Sequence, residues 1–96
     1  MMLVNWTTEA IADLKSLRSY IAKDKPGAAR EVALHISKVA EILLAENPEL
    51  GDPGRVPGTR ELVVSKTQYI IVYAVENEII EILRVYRSSQ QRPNRS

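Results

Sequence analysis

Three apolar runs lie close together in the second half of this 96-residue chain, and they constrain its fold more than any other feature. Residues 60–64, 69–75 and 79–86 are rich in the β-branched and aromatic side chains that are common in strands. Only a few polar residues separate one run from the next, which leaves room for turns and for nothing longer. The pattern predicts three consecutive antiparallel strands, a β-meander.

Two helical patterns occupy the first half. A short apolar run at residues 3–6 predicts an edge strand, and the threonine pair that follows can cap a first helix. Pro26 suits the first turn of a second helix, which ends at Asn47-Pro48. The turn between the helices is so short that they must form an antiparallel hairpin. Each helix has one apolar stripe, through Ala10, Leu14, Leu17 and Ile21 in the first and through Ala29, Val32, Ile36, Val39 and Leu43 in the second.

These elements predict an α+β fold of order β-α-α-β-β-β, a two-layer sandwich in which the helix hairpin packs on a small, twisted antiparallel sheet. The expected boundaries are a hairpin at about residues 8–47, a loop at 48–59, a meander at about 60–87 and a polar, basic tail at 88–96. A chain of this length holds one domain with one modest core. The sheet face that the helices leave uncovered is free to bind a partner.

The composition excludes several classes of function. Without cysteine the chain has neither disulfides nor thiolate metal sites, and its one histidine, His35, has no second ligand at metal-binding spacing. We therefore expect no metal site and no cofactor. No apolar stretch approaches the roughly 18–20 residues of a membrane span, and no secretory signal opens the sequence, so we expect a cytoplasmic location.

The charge is unevenly distributed along the chain, although the net charge is only +1. Residues 1–54 hold six basic and eight acidic side chains, whereas residues 55–96 hold seven basic and four acidic ones. This basic second half predicts either an anionic partner or a solvated tail. Strict alternation along the last strand puts Arg84 and Tyr86 on the same face as Ile80 and Ile82.

Arg60 and Arg84 are predicted to lie on partly covered strands. An arginine in such a place loses hydration unless a carboxylate, a carbonyl or a phosphate pairs with it. The pattern leaves two interpretations open. Each arginine either binds an anionic ligand or forms an internal ion pair, for example with Glu9, Glu61 or Glu81.

Three segments of the second half carry a family resemblance: GRVPGTRELV at residues 54–63, YIIVY at 69–73 and EILRV at 81–85. Shorter matches, WTTEA at 6–10 and DKPGAA at 24–29, occur in the helical half. With these segments the chain resembles the RelE/ParE superfamily of bacterial type II toxins over nearly its whole length. It is more similar to the ParE-like members, the "plasmid stabilisation" group.

The resemblance implies a single toxin domain over residues 1–96 that a cognate antitoxin neutralises by direct binding. A toxin–antitoxin hetero-oligomer, such as a heterotetramer, is the expected complex. ParE-like members inhibit DNA gyrase by binding it. RelE-like members cut messenger RNA on the ribosome, using basic residues and a terminal histidine or tyrosine.

The residues near the end of the last strand favour the first activity. Many relatives carry a histidine after this strand, whereas Arg87 and its neighbours stand here, and an arginine cannot act as a general acid or base. We therefore expect a toxin that is not an enzyme and that contacts gyrase through Arg55, Arg60, Arg84 and Arg87. The alternative is a ribosome-dependent endoribonuclease that uses Arg60, Arg84 and Tyr86. A third interpretation is a member that binds antitoxin but has lost toxicity.

Overall fold

The structure is a computed structural model that describes residues 2–89, so most of the expected tail at 88–96 lies outside the described residues. The first half contains β1 (Leu3–Trp6), α1 (Thr8–Ala22) and α2, which begins as Pro26–Lys38. Helix α2 continues through a π-helical turn at Val39–Leu43 and a final turn at Leu44–Glu46. The second half contains β2 (Asp52–Pro53), β3 (Arg60–Val63), β4 (Tyr69–Glu76) and β5 (Ile79–Arg87).

The five strands form one sheet in the order β1-β5-β4-β3-β2. The predicted two-layer α+β architecture is confirmed, but the sheet is mixed and not purely antiparallel. Strand β1 pairs in parallel with β5, from Leu3 opposite Ile79 to Trp6 opposite Ile82. The helix hairpin, and not a tight turn, connects β1 to the meander, so no connection forces the two strands to run in opposite directions. The short strand β2 lies within the segment expected to be a loop, and it pairs with β3.

The core lies between the helix hairpin and one face of the sheet. Thr7 caps α1: its hydroxyl accepts a hydrogen bond from the Ala10 N–H (3.1 Å) and lies 2.9 Å from the Ile82 carbonyl oxygen, to which it can donate. The cap therefore anchors the start of α1 to β5. Buried residues of the helices pack on those of β4 and β5, among them Leu17, Ile36, Leu44, Ile71, Ile80, Ile82 and Val85. Between residues 2 and 89 no helix has the length and apolar character needed to cross a bilayer.

Tyr73, in the middle of β4, is fully buried and fastens the loop that follows α2. Its hydroxyl donates to the Pro48 carbonyl (2.8 Å) and accepts from the Gly51 N–H (2.8 Å). A Cβ atom at Gly51 would come within 2.9 Å of the Tyr73 ring and of the Glu61 carbonyl oxygen, so the close approach requires glycine. The phenol thus joins the end of the helical layer to the sheet.

We predict that Tyr73→Phe lowers the free energy of unfolding by about 1–3 kcal/mol, because the Gly51 N–H loses its buried acceptor. Urea denaturation monitored by circular dichroism measures this change. Tyr20→Phe is the matched control, since the Tyr20 side chain is half exposed and its hydroxyl accepts an exposed hydrogen bond from Arg87. We expect that control to change stability by less than about 0.5 kcal/mol. Equal effects of the two substitutions would contradict the role of the Tyr73 clamp.

Alkaline pH offers a second test of the same contact. Burial is the main cause that raises the pKa of Tyr73 above 10.0, against smaller lowering by the Gly51 hydrogen bond and the Arg60 charge. The unfolded phenol therefore loses its proton at lower pH than the folded one, and stability falls as the pH rises above about 10. We predict a smaller loss of stability in Tyr73→Phe than in wild type between about pH 9 and pH 11.

Candidate functional site

The β4–β5 pair contains a β-bulge that decides which side chains reach each face of the sheet. Val72 pairs with Arg84, and the next residue, Tyr73, pairs with Ile82. Leu83 is therefore an extra residue on β5 with no partner of its own in the register. Such a residue resets the alternation of side chains along the strand.

The bulge changes the predicted orientation of the functional candidates. Ile80 and Ile82 belong to the core, and beyond the bulge Val85 joins them. Arg84 and Tyr86 line a cavity on the face of the sheet away from the helices, here called the open face. The expectation that Arg84 and Tyr86 share a face with Ile80 and Ile82 is wrong, because strict alternation makes no allowance for an extra residue.

The open-face cavity has a volume of about 140 Å³. Strand β5 contributes Leu83, Arg84 and Tyr86 to its lining, and the loop before β3 contributes Arg55. The remaining lining residues are Val56, Thr59, Glu61 and Val72. Of the predicted site residues, the structure thus brings together Arg55, Arg84 and Tyr86, while Arg60 and Arg87 do not line this cavity.

Arg84 is held by a carboxylate from the helical layer. Its Nε donates to Asp13 Oδ2 (2.7 Å) and its Nη2 donates to Asp13 Oδ1 (3.0 Å), a bidentate ion pair. Asp13 Oδ2 also accepts from the Val85 N–H at 2.9 Å. The hydrogen bonding to Asp13 raises the pKa of Arg84, so the guanidinium stays charged. Its central carbon lies 4.9 Å from the centre of the Tyr86 ring, where it makes a cation–π contact.

Arg60 is held by backbone carbonyls. It pairs across the strands with Tyr73, and its Nη1 donates to the Gly51 carbonyl at 2.6 Å, with a longer contact of 3.4 Å to the Glu49 carbonyl. Arg60 and the Tyr73 hydroxyl therefore fasten the same loop. Neither the anionic ligand nor the glutamate partner considered for Arg60 is needed to satisfy the guanidinium here.

Arg87 lies on the helix side of the sheet, next to α1. Its guanidinium stacks on the Tyr20 ring at 4.5 Å from the centre, and its Nη1 donates to the Tyr20 hydroxyl at 3.1 Å. Both residues line a second cavity of about 260 Å³, together with Tyr69. Burial raises the pKa of the Tyr69 phenol, and the charge of Arg87 opposes this shift. The four arginines predicted to bind a target therefore do not form one basic surface.

Two residues that organise the site, Asp13 and Tyr20, were not among the sequence-based candidates. Both lie on the side of α1 that faces β5: Asp13 follows Ala10 by three residues, and Tyr20 follows Leu17 by three. An acid or a phenol at such spacing within an apolar stripe predicts a polar partner on the element packed against the helix. That signal could have indicated Asp13 as the partner of an arginine on the sheet.

His35, the one histidine of the sequence, does not line the open-face cavity and contacts a different part of the sheet. His35 Nε2 lies 3.0 Å from the carbonyl oxygen of Ser65, in the turn between β3 and β4. Within the part of the chain that the structure describes, no three His, Asp or Glu side chains converge as metal ligands would. The ionisable groups of the open-face cavity are thus arginines, Glu61 and the Tyr86 phenol.

Residues 4–92 match the family model described as the ParE toxin of the type II toxin–antitoxin system parDE. The chain belongs to this toxin family. It is 41% identical over 90 residues to the protein Y4kP of Sinorhizobium fredii. The alignment covers 94% of this chain and 92% of Y4kP. It is 38% identical over 90 residues to toxin RelE2 of Caulobacter vibrioides. That alignment covers 94% of this chain and 99% of RelE2.

A solved structure of the toxin family has the same fold. The toxin is similar to a chain of the chromosomal ParDE toxin–antitoxin system from P. aeruginosa, with a TM-score of 0.76 and 27% sequence identity. The superposition covers 91% of the toxin and 96% of that chain. The predicted membership of the RelE/ParE superfamily is thereby confirmed.

We predict that Asp13 and Arg84 are energetically coupled. A double-mutant cycle with Asp13→Asn and Arg84→Gln should give a coupling energy of about 1–2 kcal/mol, measured by urea denaturation. Asp13→Asn keeps an acceptor for the Val85 N–H, so the cycle reports mainly the ion pair. The same cycle on Lys15 and Glu31, two exposed residues that form no ion pair within residues 2–89, is the control. A coupling energy near zero for Asp13 and Arg84 would contradict the ion pair.

Proposed function

We propose that the toxin acts by binding a protein, that DNA gyrase is this target, and that the contact is made by the open face of the sheet. The proposal places the toxin in the cytoplasm, where gyrase works. Arg55 and Leu83 are the contact residues, and the buried Tyr86 ring and Arg84 support them. Arg60 shapes the surface indirectly through the loop that follows α2, and Arg87 does so through α1.

The bidentate ion pair between Arg84 and Asp13 carries this proposal. A ribonuclease of this fold would need Arg84 to hold phosphate charge, but a phosphate bound there would also lie close to the Asp13 carboxylate. Two like charges about 4 Å apart repel by about 4 kcal/mol at the effective dielectric constant near a protein surface. Phosphate binding at Arg84 would therefore have to overcome this repulsion or break the pair.

The rest of the cavity suits contact with a protein. Leu83, Val56 and Val72 supply apolar surface, and the Arg84 guanidinium lies over the Tyr86 ring. The Arg55 side chain is exposed at the rim, and its backbone N–H donates to the Glu61 carboxylate at 3.1 Å. Aromatic and arginine side chains around an apolar centre are the usual composition of protein–protein contact sites.

Neutralisation by an antitoxin is the second part of the proposal. The solved relative from P. aeruginosa is described as a ParDE toxin–antitoxin system, which supports an antitoxin partner for this toxin. We propose direct binding and a hetero-oligomeric complex. A heterotetramer built on an antitoxin dimer is the expected stoichiometry, and the mass of the copurified complex tests it.

A ribosome-dependent endoribonuclease is the second candidate function. The observation that favours it is the stacked Arg84–Tyr86 pair inside a cavity, together with 38% identity to a protein named toxin RelE2. In that mechanism Tyr86 would align or deprotonate the ribose hydroxyl and the arginines would bind phosphate. Arg60 would have to release the Gly51 carbonyl to take part.

We predict that purified toxin inhibits gyrase supercoiling and leaves messenger RNA intact in a cell-free translation reaction. Arg55→Glu should raise the half-inhibitory concentration by about tenfold, because it reverses an exposed charge at the contact. Tyr86→Phe should change it by less than about twofold, since the ring remains. Lys23→Glu is the matched control: it reverses an exposed charge at the far end of the helix hairpin and should have no effect.

The same two assays can overturn the proposal. Rapid cleavage of messenger RNA, lost on Tyr86→Phe by about a hundredfold or more, would establish the endoribonuclease. Failure of both activities in a folded protein that still binds its antitoxin would indicate lost toxicity. Inhibition of gyrase that Arg55→Glu leaves unchanged would exclude the open face as the contact surface.

A further inference from the structure

The outer side of α2 carries a line of exposed residues at every fourth position. They are Arg30, Leu34, Lys38, Ile42 and Glu46, here called the α2 stripe. The two apolar members are about half exposed, Leu34 at 48% and Ile42 at 52%. Large apolar side chains in a row on a helix surface are typical of a contact site.

The π-helical turn keeps the α2 stripe on one side of the helix. In a regular α-helix, positions four residues apart drift by about 40° at each step, so five of them would spiral well around the axis. The turn at Val39–Leu43 holds one more residue than an α-helical turn, and it takes up part of this drift. Ile42 and Glu46 therefore return toward the line of Arg30 and Leu34.

Opposite charges gather at the two ends of the helix hairpin. Residues 14–30, around the turn of the hairpin, contain five basic side chains and one acid, whereas residues 39–54 contain four acids and no basic residue. Arg30 lies in the N-terminal part of α2 and Glu46 in its last turn, the reverse of what the helix dipole favours. The stability of α2 therefore does not account for this arrangement, whereas an intermolecular contact would.

The groove between α1 and α2 widens the same surface. It has a volume of about 190 Å³ and is lined by Leu14, Lys15 and Arg18 beside Arg30 and Leu34. Ile11, one turn before Leu14 on α1, is 42% exposed. Within residues 2–89 the guanidinium groups of Arg18 and Arg30 have no carboxylate partner. The basic end of the hairpin thus presents unpaired cations next to apolar surface.

We propose that the α2 stripe is the contact surface for a second copy of this chain. Two copies related by a two-fold axis would lay their α2 helices side by side in opposite directions. Arg30 of each would then meet Glu46 of the other, and Leu34 would meet Ile42. The stripe is self-complementary in this sense, as an isologous interface must be.

Charge complementarity favours a second copy over an acidic segment from another protein. An acidic segment would suit Arg30 and the groove, but it would be repelled at Glu46. A second copy pairs both ends of the stripe at once and covers both exposed apolar residues. Lys38 alone is unfavourable, because it would stand beside its own equivalent near the axis. The open face lies on the other side of the sheet, so this inference is independent of the proposed target.

Sedimentation equilibrium of the purified chain tests the proposal. We expect a monomer–dimer equilibrium that weakens as salt is raised. Arg30→Glu and Glu46→Arg should each raise the dimer dissociation constant by about tenfold, because each turns two attractive contacts into repulsive ones. Mixing the two variants, or combining both substitutions in one chain, should restore dimers. Glu76→Arg, an exposed charge reversal at the β4–β5 turn, is the control and should leave the constant unchanged.

Lys38→Ala separates a second copy from any other partner. In the proposed dimer it removes a like-charge contact at the axis, so the dissociation constant should fall several-fold. Circular dichroism of each variant verifies that it is folded. A wild-type chain that stays monomeric up to about 1 mM, a combined Arg30→Glu/Glu46→Arg chain that fails to dimerise, or a dimer weakened by Lys38→Ala would each overturn the proposal.

Discussion

The contact on which the site depends is the set of three hydrogen bonds accepted by the Asp13 carboxylate, two from Arg84 and one from the Val85 N–H. Strand β1 ends at Trp6, opposite Ile82, so within residues 2–89 the rest of this edge of β5 has no neighbouring strand. At this edge the Asp13 carboxylate accepts the hydrogen bond of the Val85 N–H, as a neighbouring strand would, and it neutralises the charge of Arg84. One side chain thus fixes α1 against the sheet and sets the position of Arg84.

The β-bulge at Leu83 explains why such a contact can form. Without the bulge, Leu83 would take a regular place in the alternation, and Arg84 would lie on the core face with Ile82, buried among apolar side chains. With it, the arginine reaches the open face while Val85 fills the core. The guanidinium remains at the strand edge, where the carboxylate on α1 can meet it. The bulge and the ion pair therefore support each other.

The order of the helices and main strands could be predicted from the sequence because each depends on local signals. Apolar periodicity, Pro26 and the capping Thr7 place the helices, and β-branched runs place the meander. The parallel pairing of β1 with β5 and the short strand β2 were not predicted, since strand partners are chosen by tertiary packing. The bulge was missed for a similar reason: one extra residue at Leu83 leaves no mark on an apolar pattern.

In the candidate site too, the residue types could be predicted from the sequence, whereas their partners are decided by tertiary packing. Arg60, Arg84 and Arg87 were selected by residue type, but their partners are two carbonyls, a carboxylate and a phenol that are distant in sequence. The segments that identify the family, GTREL and EILRV, contain two of these arginines, and both make internal contacts. An arginine can therefore be typical of a family because it holds the fold. In the proposed contact with the target, differences in target would then depend on side chains that remain available at the open face, above all Arg55 at the rim and the apolar Leu83 at the bulge.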